Sequence, residues 1–316
     1  MLIGKIKLRN KIIAAPMAGV SDYPFREICI SKGAAVAIAE MQSSNPKVRE
    51  TKKSKSRVNL TKDTGIKWIQ IAGSDPEMMA DAAKYNLDLG ADIIDINMGC
   101  PAKKVNKNMA GSALMQHPLL VEKIITKVVN AVKAPVTLKM RTGWSKDNKN
   151  ALEIAKIAIN CGVQAITVHG RTKEDLFRGQ AEYETVKNIK QQIEIPVIAN
   201  GDINTPEQAK YVMQYTKADA IMIGRAAQGN PWIFDNIKKK ITNESKCIAP
   251  DKDELKKTIL KHINLIYDFY GEEHGVLFAR KHVNWYLTKN LHGKHKMDFN
   301  KIKSSAEQIS FLETKV

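Results

Sequence analysis

Eight short runs of β-branched and other apolar residues alternate with longer helical patterns over roughly the first 240 residues. The runs, which we predict to be strands, are Ile12–Ala15, Ala35–Ala39, Trp68–Ile71, Ile93–Ile96, Val136–Met140, Ala165–Val168, Pro196–Ala199 and Ala220–Ile223. Strands that alternate with helices form a parallel sheet, because each helix carries the chain back to the start of the next strand. Eight such units are the content of a (β/α)8 barrel. The sequence therefore predicts a TIM barrel.

An open, doubly wound parallel sheet is the alternative architecture for this alternation. Such a sheet commonly binds its cofactor through a G-x-G-x-x-G loop after the first strand. Here the first strand runs into Ala-Pro-Met-Ala-Gly at 15–19, which does not match that loop. The helical patterns at 78–89, 118–132, 151–160 and 205–215 fit either architecture. The loop therefore favours the barrel.

The strand–helix alternation stops near residue 241. Amphipathic helical patterns follow at Asp251–Tyr270, Val276–Leu291 and Ile302–Leu312, with no further strand pattern between them. We therefore predict two domains, a catalytic barrel over residues 1–242 and a small helical domain over residues 243–316.

Positive charge is the strongest compositional signal. Fifty lysines and arginines face thirty-three acidic residues, for a formal net charge of +17. Such an excess favours a polyanionic partner, because each phosphate that the protein neutralises releases counterions. A basic protein with no nucleic-acid role is the alternative. The distribution of the charge along the chain has to distinguish between these two interpretations.

The helical tail carries one markedly basic segment. No acidic residue lies between His274 and Met297. Trp285 and Tyr286 lie within this segment, and basic side chains interleaved with aromatic ones suit an RNA backbone and unstacked bases. The basic residues are Arg280, Lys281, His282, Lys289, His292, Lys294, His295 and Lys296. The alternative is a solvated helix face whose aromatic residues pack against the barrel.

A second basic run lies between the second and third predicted strands. Its basic residues, opposed only by Glu50, are Lys47, Arg49, Lys52, Lys53, Lys55 and Arg57. Loops after barrel strands lie on the functional face, so this run would extend a positive surface beside the active site. A solvated loop without a binding role is an equal alternative.

Other protein classes are excluded by what the sequence lacks. No segment approaches the ~20 apolar residues that cross a bilayer, and Met1–Asn10 has no signal-peptide pattern. The cysteines show no metal-ligand spacing with histidine, and they are Cys29, Cys100, Cys161 and Cys247. We therefore expect a monomeric cytoplasmic protein with reduced thiols, no membrane association and no metal.

Cys100 is the strongest candidate for a catalytic residue. It follows the strand at 92–96, between Gly99 and Pro101. A thiol between a flexible and a rigid residue at a strand end is positioned rather than merely packed. The alternative is a small buried apolar residue. If reactive, the thiol would act as a general acid, since a nucleophilic role would need an adjacent base.

Polar or specially shaped residues follow every predicted strand. In chain order they are Pro16-Met17-Ala18, Glu40-Met41, Gln70, Asn97 with Cys100, Lys139 with Arg141, His169 with Arg171, Asn200-Gly201-Asp202, and Gly224-Arg225. The carboxyl ends of barrel strands converge on one cavity, so we predict that these residues form a single active site.

The residue types at these strand ends suit a phosphorylated, flat, redox-active cofactor. Gly201 and Gly224 end the last two strands, where such barrels often hold a phosphate with backbone N–H groups, and Arg225 adds a guanidinium. Lys139 would stabilise negative charge, and Gln70 suits the imide edge of a heterocycle. FMN has these features and is the predicted cofactor.

Five motifs span the barrel: Ala15–Arg26 (APMAGVSDYPFR), Asn97–Val105 (NMGCPAKKV), Val168–Thr172 (VHGRT), Pro196–Ile203 (PVIANGDI) and Ile223–Ala227 (IGRAA). They resemble those of the tRNA-dihydrouridine synthases, most closely the bacterial B-type branch. The resemblance extends through the helical tail.

The resemblance implies a flavin-binding barrel followed by a helical domain that binds tRNA. It implies reduction of the C5–C6 double bond of a D-loop uridine by FMN, with NADPH as reductant and Cys100 as proton donor to C5. The implied cofactor-binding residues are Pro16, Met17, Ala18, Gln70, Lys139, His169, Asn200, Gly201, Asp202, Gly224 and Arg225. When the resemblance is combined with the strand-end residues and the basic tail, the predicted substrate-binding residues are Asn97, Arg141, Arg171, Arg280 and Lys281.

Two other functions are compatible with the residues. A flavin-dependent barrel oxidoreductase acting on a free pyrimidine would use the same strand ends without the basic tail. An RNA-binding protein without chemistry would use the tail without a flavin. The tRNA enzyme would also have to flip its uridine out of the folded RNA, at a cost of a few kcal/mol.

Overall fold

The computed structural model of the protein describes residues 1–51, 54, 60, 62–63, 65–244 and 249–316. A parallel sheet curls into a barrel, whose strand segments are Ile12–Ala14, Val36–Ala37, Ala39–Ser43, Trp68–Ala72, Ile93–Met98, Val136–Arg141, Ile166–His169, Val197–Asn200 and Ala220–Ile223. The segments on either side of Ile38 form one barrel strand. One pairs with the first strand and the other with Trp68–Ala72, which closes the ring at eight strands. The predicted TIM barrel is confirmed.

Helices surround the barrel at Tyr23–Ser31, Pro46–Arg49, Pro76–Asp88, Lys103–Asn106, Pro118–Ala131, Ala151–Asn160, Glu184–Gln192, Pro206–Thr216 and Ile233–Thr242. Their starts follow local chemistry. Asp75 and Thr205 each accept a backbone N–H in the first turn, and a proline occupies that turn. The helices predicted at 78–89 and 205–215 therefore begin and end within two residues of the expected positions.

Apolar side chains fill the amino end of the barrel. Ile13, Trp68, Ile93 and Ile198 belong to one buried cluster there, with Ile3 of a short hairpin formed by strands Leu2–Ile3 and Ile6–Lys7. The hairpin therefore covers this end of the barrel. Polar side chains are concentrated at the opposite, carboxyl end, which leaves that end for a functional site.

The tail after residue 248 is helical, as expected. Its helices are Lys252–Leu291, Lys296–Lys301 and Ser305–Lys315. Gly271 interrupts the first of them with a φ of 75° and a ψ of 173°, between the two helices that the sequence predicts there. Buried apolar residues such as Ile263, Val283 and Phe299 form a cluster of their own in this tail.

The seam between tail and barrel is built around two buried histidines. The rings of His262 and His282 lie 4.6 Å apart between centroids, and Phe25 from the barrel lies within 6.3 Å of both. Burial lowers the pKa of His262 to about 3 and that of His282 well below 6.5. Placing His282 on an RNA-facing basic surface was therefore wrong, because its ring is neutral and 1% exposed.

The aromatic residues of the tail also face inward. Tyr286 is 2% exposed, and its hydroxyl lies 3.1 Å from His262 Nδ1. Trp285 is half-buried and packs against the barrel core. The interpretation in which these aromatic residues pack against the barrel is therefore correct.

We expect the free energy of unfolding to fall as the pH drops below about 6.5. The unfolded chain binds protons at both imidazoles near that pH, whereas the folded seam keeps His262 neutral down to about 3. Acid therefore favours the unfolded state, by on the order of 1 kcal/mol per imidazole and pH unit. Thermal unfolding measured between about pH 7 and about pH 4 tests this.

A pair of variants isolates the histidine contribution to that decline. His282→Phe should flatten it, because neither ring nitrogen of His282 has a hydrogen-bond partner among the described residues. His274→Gln, on the exposed surface, should follow the unmodified protein. Equal slopes for the two variants would rule out the buried pair as the cause.

Candidate active site

A cavity of about 650 Å³ opens at the carboxyl ends of the barrel strands. Of the residues predicted from the sequence, those that line it are Pro16, Met17, Ala18, Met41, Gln70, Asn97, Cys100, Lys139, Arg141, His169, Asn200, Gly201, Asp202, Gly224 and Arg225. The structure thus brings the strand ends together around one space. Four predicted residues do not line this cavity, and they are Glu40, Arg171, Arg280 and Lys281.

The Cys100 backbone is held from two sides. Its N–H donates to Asn97 Oδ1 at 2.9 Å, and its carbonyl accepts from the Ser112 N–H at 3.1 Å and from Ser112 Oγ at 3.0 Å. The thiol is half-buried and not part of a disulfide. Gly111 is required at its position, because a Cβ there would lie 2.7 Å from the Cys100 carbonyl oxygen. The thiol is therefore fixed at the cavity wall.

A chain of hydrogen bonds connects the barrel interior to the Cys100 loop. Asp95 accepts from Thr137 Oγ1 at 2.7 Å and from Gln70 Nε2 at 2.6 Å. Gln70 Oε1 accepts from Asn97 Nδ2, also at 2.6 Å. Burial raises the pKa of Asp95 to about 6. Because each side chain is held at both ends, Gln70 and Asn97 present fixed amides to the cavity.

Lys139 is the cation at the base of the cavity. Its ammonium donates to Asn200 Oδ1 at 3.1 Å. Burial lowers the pKa of Lys139 to about 8, an effect that Asp95 opposes and Arg141 reinforces. His169 lies nearby, and burial lowers its pKa well below 6.5. The base of the site therefore places a buried ammonium next to a neutral imidazole.

Arg141 lines the cavity but donates to backbone carbonyls. Its guanidinium binds the carbonyl of Gly99 at 2.8 Å, of Thr172 at 2.7 Å and of Leu176 at 2.8 Å. The side chain is 1% exposed, and burial lowers its pKa to about 10. Arg141 thus joins the Cys100 loop to the loop at 172–179.

Arg171 also binds the loop at 172–179, through the carbonyls at its carboxyl-terminal end. Its guanidinium pairs with both carboxylate oxygens of Asp202, at 2.9 and 2.5 Å, and donates to the carbonyls of Arg178 and Gly179 at 3.0 and 2.7 Å. It is 3% exposed, so its direct contact with substrate does not fit this conformation. The sequence places Arg171 at a strand end but cannot reveal that loop carbonyls bind its guanidinium.

The last two strands end in bare backbone at the cavity. Gly201 has a φ of 115°, and a Cβ there would lie 2.9 Å from His169 Cδ2, so only glycine fits. Gly224 follows the last strand and also lines the cavity. Arg225 has a 53% exposed side chain whose guanidinium lies 3.1 Å from Asp202 Oδ1. This part of the site can bind an anion.

Arg280 and Lys281 contact other parts of the protein. Arg280 Nη2 donates to the carbonyl of Ile302 at 3.0 Å. Lys281 donates to the carbonyl of Gly19, and its ammonium lies 5.7 Å from the Trp285 ring centroid. Lys281 therefore joins the tail to the loop that follows Pro16-Met17-Ala18.

The second basic run is only partly described. Arg49 is 4% exposed, donates to Asp81 Oδ2 at 2.7 Å and lies 4.4 Å from the Tyr85 ring centroid. Its assignment to a positive surface was therefore wrong. Lys47 is exposed in the short helix at 46–49. Lys52, Lys53, Lys55 and Arg57 lie outside the described residues.

Lys103 and Phe177 are among the residues that line the cavity and that sequence reasoning missed. Lys103 starts a short helix three residues after Cys100, and that spacing is a signal that could have found it. Phe177 lies in a loop with no strong pattern, and only its aromatic side chain in a polar segment marked it. Over the ranges that the structure covers, we find no cluster of metal ligands and no helix with the length and hydropathy to span a bilayer.

Known proteins with similar sequences share one description. The profile of the family described as dihydrouridine synthase matches residues 12–316. The tRNA-dihydrouridine synthase B of Vibrio parahaemolyticus is 53% identical over 314 residues, which cover 99% of this chain and 98% of that protein. The protein of the same description from Escherichia coli is 51% identical over 314 residues, with the same coverage of both chains.

Solved structures show similarity in fold alone. Histamine dehydrogenase from Rhizobium has a TM-score of 0.58 at 15% identity and covers 84% of this chain and 50% of its own. A variant of NCR from Zymomonas mobilis has a TM-score of 0.54 at 16% identity and covers 78% of this chain and 92% of its own. Barrels of this shape are therefore found with very different sequences.

Proposed function

The chain belongs to the dihydrouridine synthase family, and from this premise we propose that it reduces the C5–C6 double bond of a D-loop uridine with FMN, using Cys100 as proton donor. It is an oxidoreductase that makes dihydrouridine in tRNA. The single observation that supports the assignment of Cys100 is its position, since its backbone is bound by Asn97 and Ser112 at the wall of the strand-end cavity.

The residues around the cavity fit FMN. The cavity volume of about 650 Å³ lies in the range of pockets that bind ligands of cofactor size. Gly201, where a side chain would collide with His169, leaves bare backbone for a phosphate. We assign the phosphate end to Asn200, Gly201, Asp202, Gly224 and Arg225. The ring system is assigned to Pro16, Met17, Ala18, Gln70, Lys139 and His169.

The protein's own residues supply the proton and the electrostatics. When bound, FMN provides the hydride for uridine C6, and NADPH is the proposed source of its electrons. The remaining hydrogen reaches C5 as a proton, which the Cys100 thiol donates as general acid. The Lys139 ammonium stabilises negative charge on the rings bound beside it. Asn97 orients the uracil through the same amide that holds Cys100.

We further propose that residues 243–316 form a tRNA-binding domain beside the catalytic barrel at 1–242. Exposed Lys289 and Lys294 in the basic segment suit phosphate contacts. Lys281 contributes positive charge close to the loop that lines the cavity, and Arg280 contributes it within the tail. Backbone contacts on this surface would offset the cost of flipping the uridine. We propose a cytoplasmic monomer.

The test of the proposed function is chemical. The purified protein should bind FMN and, with NADPH, convert uridine to dihydrouridine in tRNA that lacks this modification. Mapping the product by primer extension or mass spectrometry identifies the position. If tRNA were left unchanged while free uracil was reduced, the alternative of a small-pyrimidine oxidoreductase would replace the proposal.

We expect the affinity of the apoprotein for FMN to fall as the pH rises through about 8. Lys139, which we assign to the ring system, loses its proton in that range, and with it the positive charge that stabilises electron density on the bound rings. The dissociation constant should rise by up to about tenfold per pH unit. Titration of flavin fluorescence from about pH 7 to about pH 9 measures this.

Two lysine variants separate this effect from general charge. Lys139→Gln should bind FMN more weakly and with a flatter pH profile. Lys127→Gln, on an outer helix with a 54% exposed side chain, should keep the original profile. An unchanged profile in Lys139→Gln would remove Lys139 from the cofactor site.

A further inference from the structure

We propose that Phe177 is a stacking platform for the tRNA base next to the target uridine. This inference rests on the proposed function and adds a nucleotide subsite to it. Phe177 lines the cavity, and yet it is 52% exposed. The target base must enter the cavity to reach Cys100, so an aromatic ring at the rim meets a neighbouring base.

The loop that carries Phe177 is held rigidly by buried groups. Arg141 donates to the carbonyls of Thr172 and Leu176, and Arg171 donates to those of Arg178 and Gly179. The loop backbone is thus bound on both sides of Phe177. Two buried guanidinium groups therefore fix the position of this exposed loop through hydrogen bonds to its carbonyls.

The backbone next to Phe177 is in an unfavourable conformation. Leu176 has a φ of 53°, in the left-handed region that leucine rarely adopts. Its carbonyl accepts from Arg141, which stabilises this conformation. Packing of the apolar core does not explain it, because Leu176 is itself 40% exposed. Such conformations cluster at ligand-binding sites.

Two guanidinium groups and a neutral imidazole surround the ring. The guanidinium carbon of Arg225 lies 4.9 Å from the Phe177 ring centroid, that of Arg141 lies 5.4 Å away, and the His169 ring lies 6.1 Å away. The Arg225 side chain is 53% exposed, so its guanidinium is accessible to a ligand. A phenyl ring beside a guanidinium is a combination that stacks on unpaired RNA bases and also attracts their phosphates.

The choice of RNA over the reductant follows from position and charge. A nicotinamide that donates hydride must enter the cavity itself, whereas Phe177 is exposed at its edge. The chain carries a net charge of +17, which suits an extended polyanion. Stacking on a nicotinamide is therefore the rival outcome of the test.

The experiment separates the two half-reactions. Pre-reduced enzyme is mixed with tRNA in single-turnover conditions, and flavin reduction by NADPH is followed separately. Phe177→Ala should lower the second-order rate constant with tRNA by about 5- to 150-fold, the loss expected for one stacked base. Flavin reduction should stay within about twofold of the unmodified rate. Phe177→Trp should retain the tRNA rate.

Two further variants complete the test. Phe177→Leu keeps apolar bulk without an aromatic face and should resemble Phe177→Ala, which decides the matter if the alanine variant loses flavin. Tyr211→Ala removes an aromatic side chain that is 56% exposed on an outer helix, and it should leave both half-reactions unchanged.

Three results would overturn the proposal. They are an unchanged tRNA rate in Phe177→Leu, a loss confined to flavin reduction by NADPH, or a loss in Phe177→Trp as large as in Phe177→Leu. Failure of the proposed function itself is distinguishable, because the unmodified protein would then form no dihydrouridine in tRNA at all.

Discussion

Replacing Cys100 by alanine should lower the rate of uridine reduction in tRNA by about 10²- to 10⁴-fold, the usual contribution of a general acid. The reason is local. The substitution removes the proposed proton donor, whereas Asn97 and Ser112 still hold the backbone of the loop. The variant should therefore keep its flavin and its affinity for tRNA. Single-turnover reduction of tRNA by pre-reduced enzyme measures the loss directly.

Cys161 provides the matched control for this substitution. It is also half-buried and outside any disulfide, but it ends an outer helix at 151–160 and lies 3.3 Å from Thr126 Oγ1. Cys161→Ala should turn over normally. If Cys100→Ala also turned over normally with tRNA, the proton would have to come from another group.

Replacing Gly111 by alanine should lower the same rate by about 10- to 100-fold without touching any reacting group. The added Cβ would lie 2.7 Å from the Cys100 carbonyl oxygen and 3.1 Å from Cys100 Cβ. Because these atoms cannot interpenetrate, the Cys100 loop has to move. A displacement of about 1 Å at a catalytic group can cost about 10²-fold.

Gly90 separates displacement of Cys100 from the backbone strain of any such substitution. It has a φ of 88°, comparable to 65° at Gly111, but a Cβ there would meet nothing closer than Lys67 Nζ at 3.7 Å. Gly90 precedes the strand Ile93–Met98 and so lies at the amino end of the barrel. Gly90→Ala should lose some stability and no activity. Equal activity losses in the two variants would attribute both to folding.

The barrel and most of the cavity could be predicted because both depend on local pattern and one topological rule. Each strand was recognisable from its β-branched residues, and parallel strands place their carboxyl ends together. Gln70, Cys100 and Lys139 therefore line a common space although they are far apart in the chain. No long-range contact had to be known to predict this.

Hydrogen-bond partners across the fold could not be predicted in the same way. Arg141 and Arg171 end neighbouring strands, but loop carbonyls that have no sequence signature bind their guanidinium groups. The prediction that His282 lies on the basic surface was wrong for a related reason. An amphipathic pattern shows that a helix has a buried face, but His282 is a polar residue on that face.

The sealed lower end of the barrel has a kinetic consequence. Ile3 of the amino-terminal hairpin packs with Trp68 and Ile93 at the amino end of the barrel. Within the described residues, a bound flavin would therefore be reached through the cavity at the carboxyl ends of the strands. Under the proposed function, NADPH and tRNA would both enter through this opening and could not occupy it at the same time. Double-reciprocal plots of initial rate against the concentration of one substrate, at several fixed concentrations of the other, should therefore give parallel lines, the signature of a substituted-enzyme mechanism.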